Sequence, residues 1–142
     1  MRLGTFVFAL LFFRPSLMAA DKTEIDPQLL SDFYDLWKAS EFGQHPNRTE
    51  RAAWILQGDT GHIVLRWTTS GENSRELWHG PIPECTIAQA HTHPVKSDPR
   101  PSANDIELSR RVGVPLYTIS SSGIWMVTPL GEIRQIADSK WY

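Results

Sequence analysis

Apolar and polar positions along the chain follow two periods, one typical of helices and one typical of strands. Asp26-Pro27 pairs a capping residue with a proline, and the apolar residues that follow it fall at helical spacing up to Trp37. The runs 52–57 and 62–68 are short and rich in apolar residues, and Gly58-Asp59-Thr60-Gly61 separates them. These patterns predict a first helix followed by a β-hairpin.

The second half of the chain has the pattern of a strand, a second helix and three further strands. Residues 85–93 are partly β-branched, which predicts a strand, and residues 103–112 carry apolar positions behind Ser102, which predicts a capped helix. Three further short strands are predicted, with serine, glycine and proline turns between them, at 115–119, 124–127 and 132–136. The order helix, strands, helix, strands predicts an α+β fold.

The N-terminal residues have the pattern of a secretory signal peptide. Arg2 supplies a positive charge, residues 3–13 form an apolar run, and small residues precede a cleavage site near Ala20. This apolar run is too short to span a bilayer comfortably. Cleavage near Ala20 would leave a secreted or periplasmic protein with no stable membrane insertion. A charged residue interrupts the apolar region, and a retained N-terminal anchor is the alternative. Residues 1–20 are interpreted as a signal peptide and residues 21–142 as one domain.

Composition and charge exclude some classes of partner. The chain has 14 Lys and Arg residues against 16 Asp and Glu residues, a formal net charge of −2, and no cluster of basic residues. A nucleic-acid partner is therefore not expected. Cys85 is the only cysteine, so no internal disulfide can form. It is interpreted as a buried small hydrophobic residue rather than as a nucleophile paired with His91.

The segment His91-Thr92-His93-Pro94 carries the strongest chemical signal, because Ser102 and Asp105 follow it after a seven-residue gap. Side chains at positions i and i+2 of a strand point to the same face, so both imidazoles can reach one ion. Asp105 falls in the first turn of the predicted helix, where the helix dipole favours an anion. Two imidazoles and a carboxylate make three protein ligands, the number with which a catalytic zinc site keeps a fourth position open.

Each half of this motif has a simpler explanation. Ser102 and Asp105 have the spacing of a capping box, although that motif prefers Glu or Gln at its last position. His-x-His pairs also occur by chance in loops. The joint occurrence of the two halves at this spacing, with Pro94 attached, favours a metal site.

The complete pattern His-x-His-Pro-x7-Ser-x-x-Asp resembles the JAMM signature of the MPN-domain metalloenzymes, and all of its positions are filled. The chain is similar in size to the small bacterial members of that family, some of which are secreted. The resemblance implies a JAMM/MPN-like mixed β-sheet with flanking helices and a Zn²⁺ cofactor held by His91, His93 and Asp105. It implies a metal-activated water that attacks an amide or isopeptide carbonyl. It also implies that Ser102 stabilises the oxyanion, a role that stands beside its capping role.

The resemblance further implies a catalytic Glu on an earlier strand. Glu50 is interpreted as this base, because Glu50-Arg51-Ala52-Ala53-Trp54-Ile55 resembles the Glu-x-Gly-Gly-Trp-Ile run of bacterial relatives, with alanines at the two glycine positions. Glu84, just ahead of the histidine strand, is the rival candidate. The alternative for Glu50 is a solvated residue at the end of a strand. Glu72 and Glu76 lie in a polar stretch and are interpreted as solvated.

These observations predict a secreted zinc metallopeptidase that cleaves an amide or isopeptide bond in a peptide or isopeptide-linked substrate. Trp78, in the polar loop 69–83, is the tryptophan expected to contact that substrate. Two alternatives stay open. One is a metal-binding interaction module of the same fold without catalysis, and the other is a zinc hydrolase of another class, such as a deaminase. The chain lacks the Pro-Cys-x-x-Cys segment typical of zinc deaminases.

Overall fold

The structure is a computed structural model that describes residues 25–44, 50–68 and 78–142. The predicted signal peptide, residues 1–20, and the candidates Glu72 and Glu76 lie outside these ranges. Within them the chain forms two α-helices, a short 3-10 helix at Glu41–Gly43 and six strands. The helices are α1 (Pro27–Ala39) and α2 (Ala103–Val112). The strands are β1 (Ala52–Gln57), β2 (His62–Arg66), β3 (Thr86–Thr92), β4 (Leu116–Ser120), β5 (Gly123–Val127) and β6 (Ile133–Ala137).

The six strands form one open, mixed sheet in the order β2-β1-β3-β4-β5-β6. Every neighbouring pair is antiparallel except β3 and β4, which run parallel because α2 connects them as a crossover. A parallel pair needs such a crossover, whereas antiparallel neighbours can be joined by tight turns. The prediction of a single α+β domain is confirmed. Among the described helices, none has the length and apolar character needed to cross a membrane.

Helix α1 begins directly after Asp26, the residue predicted to cap it, and covers one face of the sheet. The Asp26 carboxylate accepts hydrogen bonds from the backbone amides of Gln28 and Leu29, at 2.9 and 3.1 Å. These bonds satisfy two of the amide groups that a helix start leaves without partners. The helix buries Phe33, Leu36 and Trp37 in the main hydrophobic core. The sheet contributes its small and branched residues to the same core, namely Ala53, Ile55, Ala88, Ala90, Ile119 and Ile124.

Helix α2 packs against β4 and β5 on the other face of the sheet. The buried Ser109 hydroxyl donates to the carbonyl oxygen of Val114 at 2.7 Å and reaches that of Val127 at 3.4 Å, so it ties the last turn of the helix to β5. The helix ends at Gly113, whose φ of 79° lies in the left-handed region. This tight stop lets the chain turn back directly into β4.

Replacing Gly113 by Ala is expected to lower the free energy of unfolding by about 1 kcal/mol, because a Cβ atom is disfavoured at left-handed φ. A Cβ atom at this position meets no heavy atom of residues 25–44, 50–68 or 78–142 within 4 Å, so the strain is conformational. Gly61 is the matched control: its Cβ atom would also meet open space, and its φ lies outside the left-handed region. Denaturant unfolding of the two variants should show a loss for Gly113→Ala only, and equal midpoints would contradict this explanation.

Candidate metal centre

The parallel pair β3–β4 brings the motif residues together. His91 and His93 lie at the carboxyl end of β3, where the chain leaves the sheet and forms the loop that leads into α2. Because α2 starts beside this end of β3, its first-turn residue Asp105 reaches the two imidazoles. The backbone amide of His93 donates to the carbonyl oxygen of Ile119 at 2.8 Å, which holds the second histidine against β4.

The three side chains form a compact buried group that could hold a metal ion. The Nε2 atoms of His91 and His93 are 2.9 Å apart, and His91 Nε2 is 3.5 Å from Asp105 Oδ1. One ligand atom from each residue lies within 4.8 Å of the other two. Each of the three residues is at most 9% exposed. The structure therefore brings together the three residues that the sequence predicts as metal ligands.

The surroundings of His93 prepare it as a ligand. Its Nδ1 atom lies 2.6 Å from the backbone carbonyl oxygen of Asp98. A carbonyl oxygen only accepts, so Nδ1 carries the proton, and the lone pair of the neutral ring is on Nε2, which faces His91. A hydrogen bond of this kind orients a ligating imidazole and raises its basicity.

The turn that supplies this carbonyl oxygen is held by an exposed ion pair. Arg100 donates to both carboxylate oxygens of Asp98, at 3.0 and 2.8 Å. This hydrogen bonding by Arg100 lowers the pKa of the Asp98 carboxyl to about 2. Asp98 is therefore ionised at any pH at which an imidazole could bind a metal, and the pair with Arg100 persists across that range.

Asp105 performs the capping role and faces the histidines at the same time. Its Oδ2 atom accepts hydrogen bonds from the backbone amide and the hydroxyl of Ser102, both at 2.7 Å, and the Ser102 Oγ atom accepts from the Asp105 amide at 3.3 Å. The capping box considered from the sequence is thus present. It leaves Oδ1 directed at His91, so capping fixes the carboxylate in the orientation that a metal ligand needs.

The three ligand atoms are close enough together to surround one metal ion. In a tetrahedral site with Zn–N distances near 2.05 Å, two ligand atoms are about 3.3 Å apart. The two Nε2 atoms are 2.9 Å apart and His91 Nε2 is 3.5 Å from Asp105 Oδ1, on either side of this value, whereas His93 Nε2 is 3.9 Å from Asp105 Oδ2. Imidazole nitrogen and carboxylate oxygen are also ligands that zinc commonly takes. A cavity of about 430 Å³ opens beside the group, so a fourth ligand has access to it.

Glu50 lies at the same end of the sheet as the histidines. In the antiparallel pair β1–β3, Ala52 stands opposite His91, and the Thr92 amide donates to the Arg51 carbonyl oxygen at 2.8 Å. Extended by one more pair beyond Arg51 and Thr92, this register brings Glu50 opposite His93. Glu50 lines the cavity together with the ligands. The register of the sheet thus places the predicted base next to the predicted metal site.

The rival base and the single cysteine lie elsewhere. Glu84 is exposed and precedes β3 at its amino end, whereas the histidines lie at its carboxyl end. The intervening strand is about 20 Å long at roughly 3.3 Å per residue. Cys85 is exposed beside Glu84, so its interpretation as a buried hydrophobic residue is wrong. The reason is that the strand begins one residue later than predicted and leaves Cys85 in the preceding turn.

Several cavity-lining residues were not predicted from the sequence, Trp67 and Gln89 among them. Trp67 and Gln89 both line the cavity, and Trp78, which was expected to contact substrate, packs against Trp67 with ring centroids 6.2 Å apart. Gln89 lies two residues before His91, so strand alternation places it on the face of the ligands. This signal was available in the sequence. The position of Trp67 depends on the pairing of β2 with β1, which the sequence pattern does not specify.

No protein-family model matches the chain, and no curated protein matches it.

Proposed function

We propose that the chain is a secreted zinc-dependent hydrolase that cleaves an amide or isopeptide bond. The observation that carries the proposal is the buried group of His91, His93 and Asp105 with Glu50 on the wall of the same cavity. Three protein ligands leave a coordination position for the reaction, and a carboxylate beside them supplies a proton acceptor. A site that only stabilised the fold would close its coordination sphere with a fourth side chain.

The three metal ligands, Glu50 and Ser102 each have a defined task in this proposal. A zinc ion held by the three ligands would supply a Lewis acid that activates water and polarises the scissile carbonyl. Glu50 accepts a proton from the attacking water and delivers it to the leaving nitrogen, so the amine departs in neutral form. The Ser102 hydroxyl, which donates to Asp105 Oδ2 in the substrate-free structure, turns to donate to the carbonyl oxygen as negative charge develops there. The Asp98 carbonyl oxygen keeps the His93 ring in the ligating tautomer.

Three further features support this assignment. The motif His-x-His-Pro-x7-Ser-x-x-Asp resembles the JAMM signature, and a mixed sheet with helices on both faces is compatible with a JAMM/MPN-like fold. The signal-peptide pattern of residues 1–20 supports a secreted or periplasmic location for the domain 21–142. The substrate is then a peptide or an isopeptide-linked chain that the enzyme meets outside the cytoplasm.

A substrate screen tests the proposal. The zinc-loaded protein is incubated with linear peptides, isopeptide-linked peptides and muropeptides, and products are identified by mass spectrometry. We expect cleavage at an amide bond, its loss with a chelator, and its return when zinc is restored. A protein that binds zinc stoichiometrically but cleaves none of these classes would instead be a metal-binding interaction module. Release of ammonia from a nucleobase would identify a deaminase.

Replacing Ser102 by Ala is expected to lower kcat by about 100-fold with the metal site saturated, because the donor to the carbonyl oxygen is lost. Zinc affinity should fall by about 10-fold, since Asp105 loses the hydroxyl bonded to its Oδ2 atom. The exposed Ser122 is the control, and Ser122→Ala should change neither quantity. An unchanged kcat in Ser102→Ala would leave this serine with the capping role alone.

A further inference from the structure

A trough runs across the sheet beside the metal ligands. Trp67 continues the β2 register opposite Ala52, with its amide donating to the Ala52 carbonyl oxygen at 2.9 Å, and Ala52 stands opposite His91. All three side chains therefore project from the same face, two large ones on either side of a small one. Two strand spacings separate Trp67 from His91, about 10 Å in total. This width accommodates one extended peptide chain, with the Ala52 methyl group as its floor.

Gln89 borders this trough and carries an unsatisfied polar group. The residue lines the cavity and is 3% exposed, and its Oε1 atom has no hydrogen-bond partner among the described residues. Buried side-chain oxygens are nearly always hydrogen-bonded in folded proteins, so such an atom in a cavity wall indicates a group that a ligand completes. Gln89 is neither a metal ligand nor a proton acceptor, and the reaction described above leaves it without a task.

The aromatic residues beside Gln89 indicate which chemical group the ligand would present to it. Trp54 stands opposite Gln89 in the β1–β3 pair, and its ring packs against Trp67 with centroids 5.1 Å apart. Beside Gln89 the cavity is therefore lined by the indole ring of Trp67, with the buried Trp54 packed behind it. An ion would gain little from such a wall, whereas a planar amide can lie against an indole ring while its N–H group donates to the glutamine oxygen.

We propose that Gln89, Trp67 and Ala52 form a subsite that binds a second amide of the substrate, next to the scissile one. The inference rests on the proposed hydrolase function and adds the substrate class: an extended peptide with an N–H group within reach of Gln89, rather than a small molecule with a single amide bond. Gln89 Oε1 is buried in a residue that lines the cavity, and rotation about the last side-chain torsion, which is broad for glutamine, would turn it towards the ligand.

Nuclear magnetic resonance of the ¹⁵N-labelled, zinc-loaded protein tests this subsite without turnover. The probes are N-acetylglycine N-methylamide and N-acetylglycine methyl ester, which differ by one N–H group. We expect the indole N–H resonance of Trp67, assigned with a Trp67→Phe variant, to respond to the amide more than that of Trp141. The amide should bind about three- to tenfold more tightly than the ester, as one hydrogen bond implies.

The decisive comparison is Gln89→Met against Gln28→Met, since Gln28 is exposed on α1. Gln89→Met should bind both probes equally and should melt about 3 °C higher, because the unpaired amide is removed from the interior. Gln28→Met should keep the preference for the amide. The subsite would be overturned if Gln89→Met still bound the amide more tightly than the ester. It would also be overturned if the Trp67 resonance shifted on addition of zinc but not on addition of the amide. If the parent protein preferred the amide to the ester but cleaved no peptide, the result would instead count against the proposed hydrolase function.

Discussion

Glu50→Gln is expected to lower kcat by about 100- to 10,000-fold while leaving zinc content and fold unchanged, as loss of a general acid–base group typically does. Glu50 lines the cavity, and the β1–β3 register brings it beside His93. Glutamine has nearly the same shape as glutamate but can neither accept the proton of the attacking water nor deliver one to the leaving nitrogen. Turnover of the peptide found in the substrate screen, together with zinc analysis of the same sample, measures the effect.

Glu84→Gln is the matched control for this prediction. Glu84 is an exposed glutamate at the far end of β3, so this variant should have the activity of the parent protein. An active Glu50→Gln beside an inactive Glu84→Gln would contradict the assignment of the base. Loss of zinc in Glu50→Gln would make this residue a ligand rather than a proton acceptor.

His93→Ala is expected to abolish zinc binding, and with it all turnover. This substitution leaves two of the three protein ligands. It also removes the imidazole ring whose Nε2 atom lies 2.9 Å from His91 Nε2. His91→Ala and Asp105→Ala should behave in the same way. Elemental analysis should find close to one zinc per chain in the parent protein and almost none in the variants.

His62→Ala is the control for the loss of a histidine. His62 lies on β2 and contacts the Asp32 carboxylate at 2.7 Å, so it also belongs to a partly buried His–Asp pair, but away from the motif. This variant should keep a full complement of zinc. Zinc should raise the melting temperature of the parent protein and of His62→Ala, because the ion binds the folded state only, and it should leave His93→Ala unchanged. Full zinc content in His93→Ala would refute the ligand assignment.

The ligands could be predicted because the relevant geometry is local. Alternation along one strand places His91 and His93 on a single face, and the capping preference of Ser102 fixes the start of the helix that carries Asp105. The α+β class likewise followed from helical and strand periods in successive segments. These features depend on residues close together in the sequence, where backbone geometry alone decides which side chains meet.

The rest of the site depends on the order and register of the strands, which local patterns do not specify. Glu50 and Glu84 are both glutamates next to predicted strands. Only the antiparallel β1–β3 register shows which of them lies at the same end of the sheet as the histidines. Trp67 reaches the cavity only because β2 pairs with the outer edge of β1. Cys85 is exposed because the start of β3 lies one residue later than predicted, and such boundaries are the least certain part of a sequence pattern.

Anomalous diffraction from crystals of the purified protein, recorded on both sides of the zinc absorption edge, tests the central claim most directly. We expect one zinc peak at bonding distance, about 2.0 to 2.2 Å, from His91 Nε2, His93 Nε2 and Asp105 Oδ1, with the fourth direction open to the cavity. Zinc bound through other residues, an iron signal at this position, or a closed sphere of four protein ligands would contradict the assignment of a catalytic zinc site.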